Sequence, residues 1–243
     1  MVIDNYMLPK NLEIFKDDIR RLLNPAPEPK YKAILEDIDK KLERLGIPGG
    51  HKKLLKDAII EFIINYNLKD ACILAERIRD KEKINEISEI ILKNLSNKDP
   101  FGGLSHTIGY FADREAYECA LEVLNKIGDI YEAISLLKSA KKIEKAKELE
   151  ELLNDKIKYS KYLENKILEL VERGLIGYAF IRLEELIELK PDTDKIVNLY
   201  QTIKKKFLKR INETKDEDQI SEFHYKFSSY VIHLSMAMSA FIR

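Results

Sequence analysis

The chain has 243 residues with 42 basic and 42 acidic side chains, and its zero net charge excludes any global attraction to nucleic acid or an acidic membrane. Hydrophobic residues make up 45%, enough for one or two domains with a sizeable core. Two cysteines, Cys72 and Cys119, are too few for a disulfide framework or a zinc knuckle; each lies inside a helical apolar pattern and reads as a buried thiol in a reducing, cytoplasmic setting.

Met1 to Lys10 carries Asp4, Asn5 and Pro9 and lacks the apolar run of a secretory signal. Leu12, Ile14, Phe15, Ile19, Leu22 and Leu23 predict a short helix, stopped by the proline-rich spacer Asn24 to Pro29. A second helix is expected from Pro29 to Leu45. Gly46 to Lys53 resembles a phosphate loop only superficially, because no strand precedes it and His51-Lys52-Lys53 stands where Lys-Ser/Thr would be needed; Gly46 reads as a helix stop and Pro48-Gly49 as a turn.

Helical spacing then continues from Leu54 to Leu95, with breaks near Asn67 and Asp80. From Phe101 to Ala112 there is no formally charged residue in a chain that is 35% charged. Phe101, Ser105, His106, Tyr110 and Phe111 are therefore the candidate partner-binding residues; the alternative reading of the same stretch is a wholly buried helix.

From Tyr117 to Leu152 three apolar stripes follow one another: Ala120, Leu121 and Leu124; Ala133, Leu137 and Ala140; Ala146, Leu149 and Leu152. Gly128 stands where the first helix would end in a left-handed residue, so the first two stripes predict a helical hairpin. The offset of 62 residues that separates Ala71 from Ala133 superposes Ala58, Ile59, Phe62, Ala71, Ala75, Ile78, Ile84, Ile87 and Ile90 on those stripes. A shorter copy, offset by the 46 residues between Ala133 and Ala179, contains Gly174, Ala179, Leu183, Leu186 and Pro191.

On these residues the chain resembles the tetratricopeptide repeat family. Ala179-x3-Leu183 with Pro191 and Ala133-x3-Leu137 after Gly128 are similar to the family's small-x3-large helix pairs and closing proline. Extra helices must intervene, because neither offset is a multiple of the family's period of about 34 residues. The resemblance spans residues 51 to 190 and implies an all-α, solenoid-like stack of hairpins that holds a protein or peptide partner. Three regions are expected: N-terminal helices with the spacer in 1–49, repeats in 50–190, and capping or dimerisation helices in 191–243.

Further helices are expected at Ile157 to Arg173, Leu175 to Leu189 and Thr193 to Ile211. In the last, Ile196, Leu199, Ile203, Phe207 and Ile211 form the inner stripe and leave Lys204, Lys205, Lys206, Lys209 and Arg210 outside. That basic cluster is a candidate phosphate surface, neutralised at once by Glu213, Asp216, Glu217 and Asp218. At the C-terminal end Ile220, Phe223, Phe227, Tyr230, Leu234, Met238 and Phe241 form one helical face, while the opposite face carries Tyr225, Ile232, Met236 and Ala240. A helix apolar all round must be covered, either in a groove of its own chain or against a second copy, which makes Phe223, Phe227, Tyr230, Leu234, Met238 and Phe241 the oligomerisation candidates. Its uncharged run is too short, and too rich in serine, for a membrane span.

No residues converge in the sequence on catalysis or a metal: His51, His106, His224 and His233 lack the spacing of helix-borne metal sites, so no enzyme activity, cofactor or metal is expected. The reading is a protein-interaction scaffold. The alternatives are a small-molecule or nucleotide site near His106 and nucleic-acid binding through Lys204 to Arg210.

Overall fold

A computed structural model describes residues 12–24, 27–65, 67–98, 116–189 and 192–214, and residues 220, 221, 224, 225, 227–229, 231, 232 and 235 of a final helical segment. Phe101, Ser105, His106, Tyr110 and Phe111 lie outside the described residues, as do Phe223, Tyr230, Leu234, Met238 and Phe241. The regular elements among the described residues are all helical. Residues 12–91 with 116–122 form one compact unit, and residues 92–98 with 123–235 form another.

In the first unit a 3₁₀ turn, Glu13–Phe15, leads into α1 (Lys16–Leu23), and α2 (Glu28–Arg44) starts with Pro29 in its first turn, where the missing amide costs no hydrogen bond. The left-handed Gly46 (φ +65°) ends α2, with the Ile47 amide bonded to the Leu42 carbonyl at 2.9 Å. Next come α3 (Gly50–Leu54), a π-helical stretch (Leu55–Ile60) and α4 (Glu61–Ile64), then α5 (Leu68–Arg77) and α6 (Lys81–Lys98). Phe15 of the 3₁₀ turn and Ile19 and Leu22 of α1 are fully buried, and α1 packs on α2 and α5. Helix α5 buries six consecutive residues, Asp70 to Ala75, as a helix covered on several sides does.

α7 (Tyr117–Ile127) is followed by α8 (Ile130–Ser139), α9 (Ile143–Asn154), α10 (Lys156–Glu172), α11 (Ile176–Glu188) and α12 (Thr193–Glu213). From α8 onward each helix packs on the next, and α10 also touches α12. The core is centred on α11, with Phe180, Leu183 and Leu186 fully buried; each such side chain stabilises by roughly 1.5–3 kcal/mol. The stripe Ile196, Leu199, Ile203 and Phe207 of α12 is buried, whereas in α9 only Ala146 is, and Leu149 and Leu152 are half-exposed.

The 62-residue offset recurs in the backbone. α5 and α8 are both ten residues long, α6 and α9 begin at Lys81 and Ile143, and Asn67 and Asp129 cap α5 and α8 by accepting amide hydrogens of the first turn. α5 and α8 both end in a non-glycine left-handed residue, Arg79 (φ 54°) and Lys141 (φ 59°). Around these the same pair of bonds forms: Arg79 to Glu76 and Asp80 to Ala75, Lys141 to Lys138 and Lys142 to Leu137. The 46-residue offset also recurs: Gly128 (φ +74°) and Gly174 (φ +77°) close α7 and α10, and α8 and α11 begin two residues later.

Candidate functional site

The two glycine turns each present a carbonyl to an arginine. Arg182 Nη1 of α11 donates to Gly128 O at 2.8 Å, and Arg210 Nη1 of α12 donates to Gly174 O at 3.0 Å. Arg210 thus belongs to the structure rather than to a free phosphate surface, and burial holds its guanidinium below the usual arginine range. Around Arg182, which is 3% exposed, Glu185 Oε1 lies at 3.0 Å and Asp129 Oδ2 at 3.7 Å, and the Tyr159 hydroxyl donates to Glu185 Oε2 at 2.8 Å. The Arg182 Nε is buried without a hydrogen-bond partner.

Burial raises Glu185 above the ordinary carboxylate range, opposed by the nearby Arg182 charge; burial likewise raises Tyr159 and pushes Tyr162 up to about 12. Chemically the cluster is one guanidinium held between two carboxylates, which locks the Gly128 turn to α11. Nothing in the sequence singles Arg182 out, because a charge on an amphipathic helix ordinarily faces solvent.

The remaining lysines of the basic run do face outward. Phe207 is buried and divides the run, Lys209 pairs with Glu213 at 3.7 Å, and Lys204, Lys205 and Lys206 line an open trough of about 790 Å³ with Gln201, Leu208 and Asn212.

The C-terminal helical segment has two different faces. Phe227 stacks on Phe207 of α12 (centroids 4.1 Å apart, planes at 7°) and meets Phe180 of α11 edge-on at 5.6 Å, so this oligomerisation candidate packs on its own chain. On the other side Ser221, Tyr225, Ser228, Ile232 and Ser235 advance by fours and threes along one exposed stripe that carries no charge. Tyr225 is 78% exposed and Ile232 58%.

In the first unit Glu76 of α5 reaches the start of α7. Its Oε1 accepts the Cys119 amide at 3.0 Å, and burial pushes its carboxyl up to about 8. Cys72, one helical turn before Glu76, and Cys119 are both fully buried. His51, in the first turn of α3, bonds Asp39 through Nδ1 at 2.6 Å.

Among the described residues no group of three or more His, Cys, Asp or Glu side chains is placed to hold a metal ion, and no helix is long and apolar enough to cross a membrane. No family model, no curated protein and no solved structure matches the chain.

Proposed function

We propose that the chain is a helical-repeat scaffold, solenoid-like and similar in design to tetratricopeptide proteins, that holds a protein partner. The observation that carries this reading is the two-faced C-terminal segment: its inner face is occupied by Phe227 on Phe180 and Phe207, while its outer face leaves Tyr225 and Ile232 exposed on an uncharged stripe. An aromatic and a branched aliphatic residue one above the other, with serines beside them, have the makings of an interface centre with a polar rim. The repeated caps and left-handed turns support the repeat reading, since each hairpin needs neighbours to cover both its faces. The segment Phe101 to Phe111 is the second surface of the proposal.

The test is copurification and cross-linking of the full chain in its source cell, alongside the double variant Tyr225→Glu, Ile232→Glu. The variant is expected to keep its melting temperature and to lose the captured partner; an unchanged set of partners with the fold intact removes this surface. If the Phe101–Phe111 surface carries the partner instead, Phe101→Ala with Tyr110→Ala gives that loss.

One observation favours a second reading, an anionic partner. Lys204, Lys205 and Lys206 line the α12 trough together, which sets three cations side by side for phosphates. A gel-shift assay with single-stranded and duplex oligonucleotides decides it: affinity should fall steeply with salt, and binding that is absent or indifferent to salt excludes it. The His106 small-molecule reading is tested by a thermal-shift screen in which stabilisation grows with ligand concentration and is lost in His106→Ala.

A further inference from the structure

We propose that Cys72 and Cys119 form a redox-active pair that closes to an intrachain disulfide between α5 and α7 when a small-molecule disulfide is supplied. Both cysteines are fully buried in the same compact unit, and they are the chain's two cysteines, so neither has a competing partner within the molecule. The Cys119 thiol interacts with that of Cys72, the first influence on it after burial itself. Their approach is held by a third group. Glu76 stands one turn after Cys72 on α5, and its Oε1 accepts the Cys119 amide at 3.0 Å, which ties the start of α7 to the face of α5 that carries Cys72. A sulfur–sulfur bond needs Cα atoms within about 7 Å, and the Glu76 clamp fixes the Cys119 backbone to the residue one turn after Cys72.

The exchange balances in two steps. One cysteine thiolate attacks a sulfur of the small disulfide, forming a mixed disulfide and expelling one small thiolate. The second cysteine thiolate then attacks the protein sulfur of that mixed disulfide, forming the Cys72–Cys119 bond and expelling the second small thiolate. Two protons leave the cysteines and appear on the two released thiols, so the protein is oxidised by two electrons and the small disulfide is reduced by two. Burial disfavours the Cys119 thiolate and shields both sulfurs from bulky oxidants, so closure is slow in the folded chain and quickens when the unit opens transiently.

The test uses the full chain, reduced and then incubated with oxidised glutathione, with and without denaturant below the unfolding midpoint. The expected product is a monomer lighter by two hydrogens, with its two thiols lost to Ellman's reagent under denaturing conditions and a peptide pair linking Cys72 to Cys119 in a non-reducing digest. Closing so long a loop should raise the melting temperature by about 5–15 °C relative to the reduced chain. Cys72→Ser, checked for fold by circular dichroism, should instead take up one glutathione at Cys119. The proposal is overturned if the wild type keeps both thiols after treatment, or carries two glutathiones, or links only between chains.

Discussion

The two copies separated by 62 residues share a backbone and differ in chemistry. Asn67 and Asp129 cap equivalent helices, Arg79 and Lys141 take the same left-handed turn, yet the pair at the last turn of the helix is Glu76 in one copy and Lys138 in the other. The carboxyl of Glu76 is turned onto the first amides of α7 and is pushed up to about 8 by burial, whereas Lys138 stays 54% exposed and pairs with Glu150 of the following helix at 2.5 Å. Likewise the buried thiol Cys72, one turn before Glu76, corresponds to the ordinary core residue Ile134. The caps and turns are fixed by local bonding and so repeat; the chemistry of a position depends on what covers it, and that does not repeat.

The largest expected effect strikes the second copy alone. Arg182→Met leaves Asp129 and Glu185 facing each other without their cation and frees the Gly128 carbonyl, so unfolding in denaturant should show a loss of about 3–5 kcal/mol. A loss under 1 kcal/mol would mean that the cluster is solvated and contributes little.

Next in size is a pH dependence confined to the first copy. Glu76 ionises in the unfolded chain near its ordinary value of 4.5 but in the folded chain at about 8, so the folded state binds the extra proton between those limits. Stability is therefore greatest below the unfolded value and falls as pH rises through the folded one, by an amount on the order of 4 kcal/mol. The neighbours that set this value are Glu118, which opposes ionisation through its charge, and Arg77, which favours it, beside the amides of Glu118 and Cys119. Glu76→Gln should flatten the profile, and Lys138→Gln should leave its slope unchanged; a wild-type profile already flat from pH 4.5 to 8.5 contradicts the assignment.

Smaller effects sharpen the likeness between the copies. Gly128→Ala forces a side chain into a left-handed residue, with its Cβ 2.6 Å from Lys166 Cγ, and should cost about 1–2 kcal/mol. Asn67→Ala should cost about 1 kcal/mol through its cap, and Asp129→Ala that much and more, because its carboxylate also faces the buried Arg182 at 3.7 Å. A cap that costs nothing in one copy would show that its helix start is held by packing instead.

Much of this skeleton is legible in the sequence because it is local. The apolar period places α2, α10, α11 and α12 within two residues of their observed starts; Gly46, Gly128 and Gly174 mark left-handed ends, and the 62-residue offset is visible in the small residues Ala71 and Ala133. Arg79 and Lys141 are not legible, since neither is a residue type that favours positive φ. Glu76 and Arg182 escape for a different reason: a charge at helical spacing reads as solvent-facing, and only the arrival of α7 over one and of the Gly128 turn over the other removes them from water. The C-terminal faces are half legible. The sequence shows that the segment is apolar on both sides, but which side its own chain covers follows only from where Phe180 and Phe207 lie.

The π-helical stretch from Leu55 to Ile60 has a bearing on descent. A turn bonded from i to i+5 holds one residue more than an α turn, and here it lets Leu55, Ile59 and Ile60 all reach the core while the helix passes on to bury Ile63. Such a turn absorbs one extra residue without shifting the helix at either end, where Gly49 and Asn65 stand as its caps. A shorter homologue should thus carry its one-residue gap between Leu55 and Ile60, with an unbroken α-helix in place of the bulge and the same residues on either side still meeting the core.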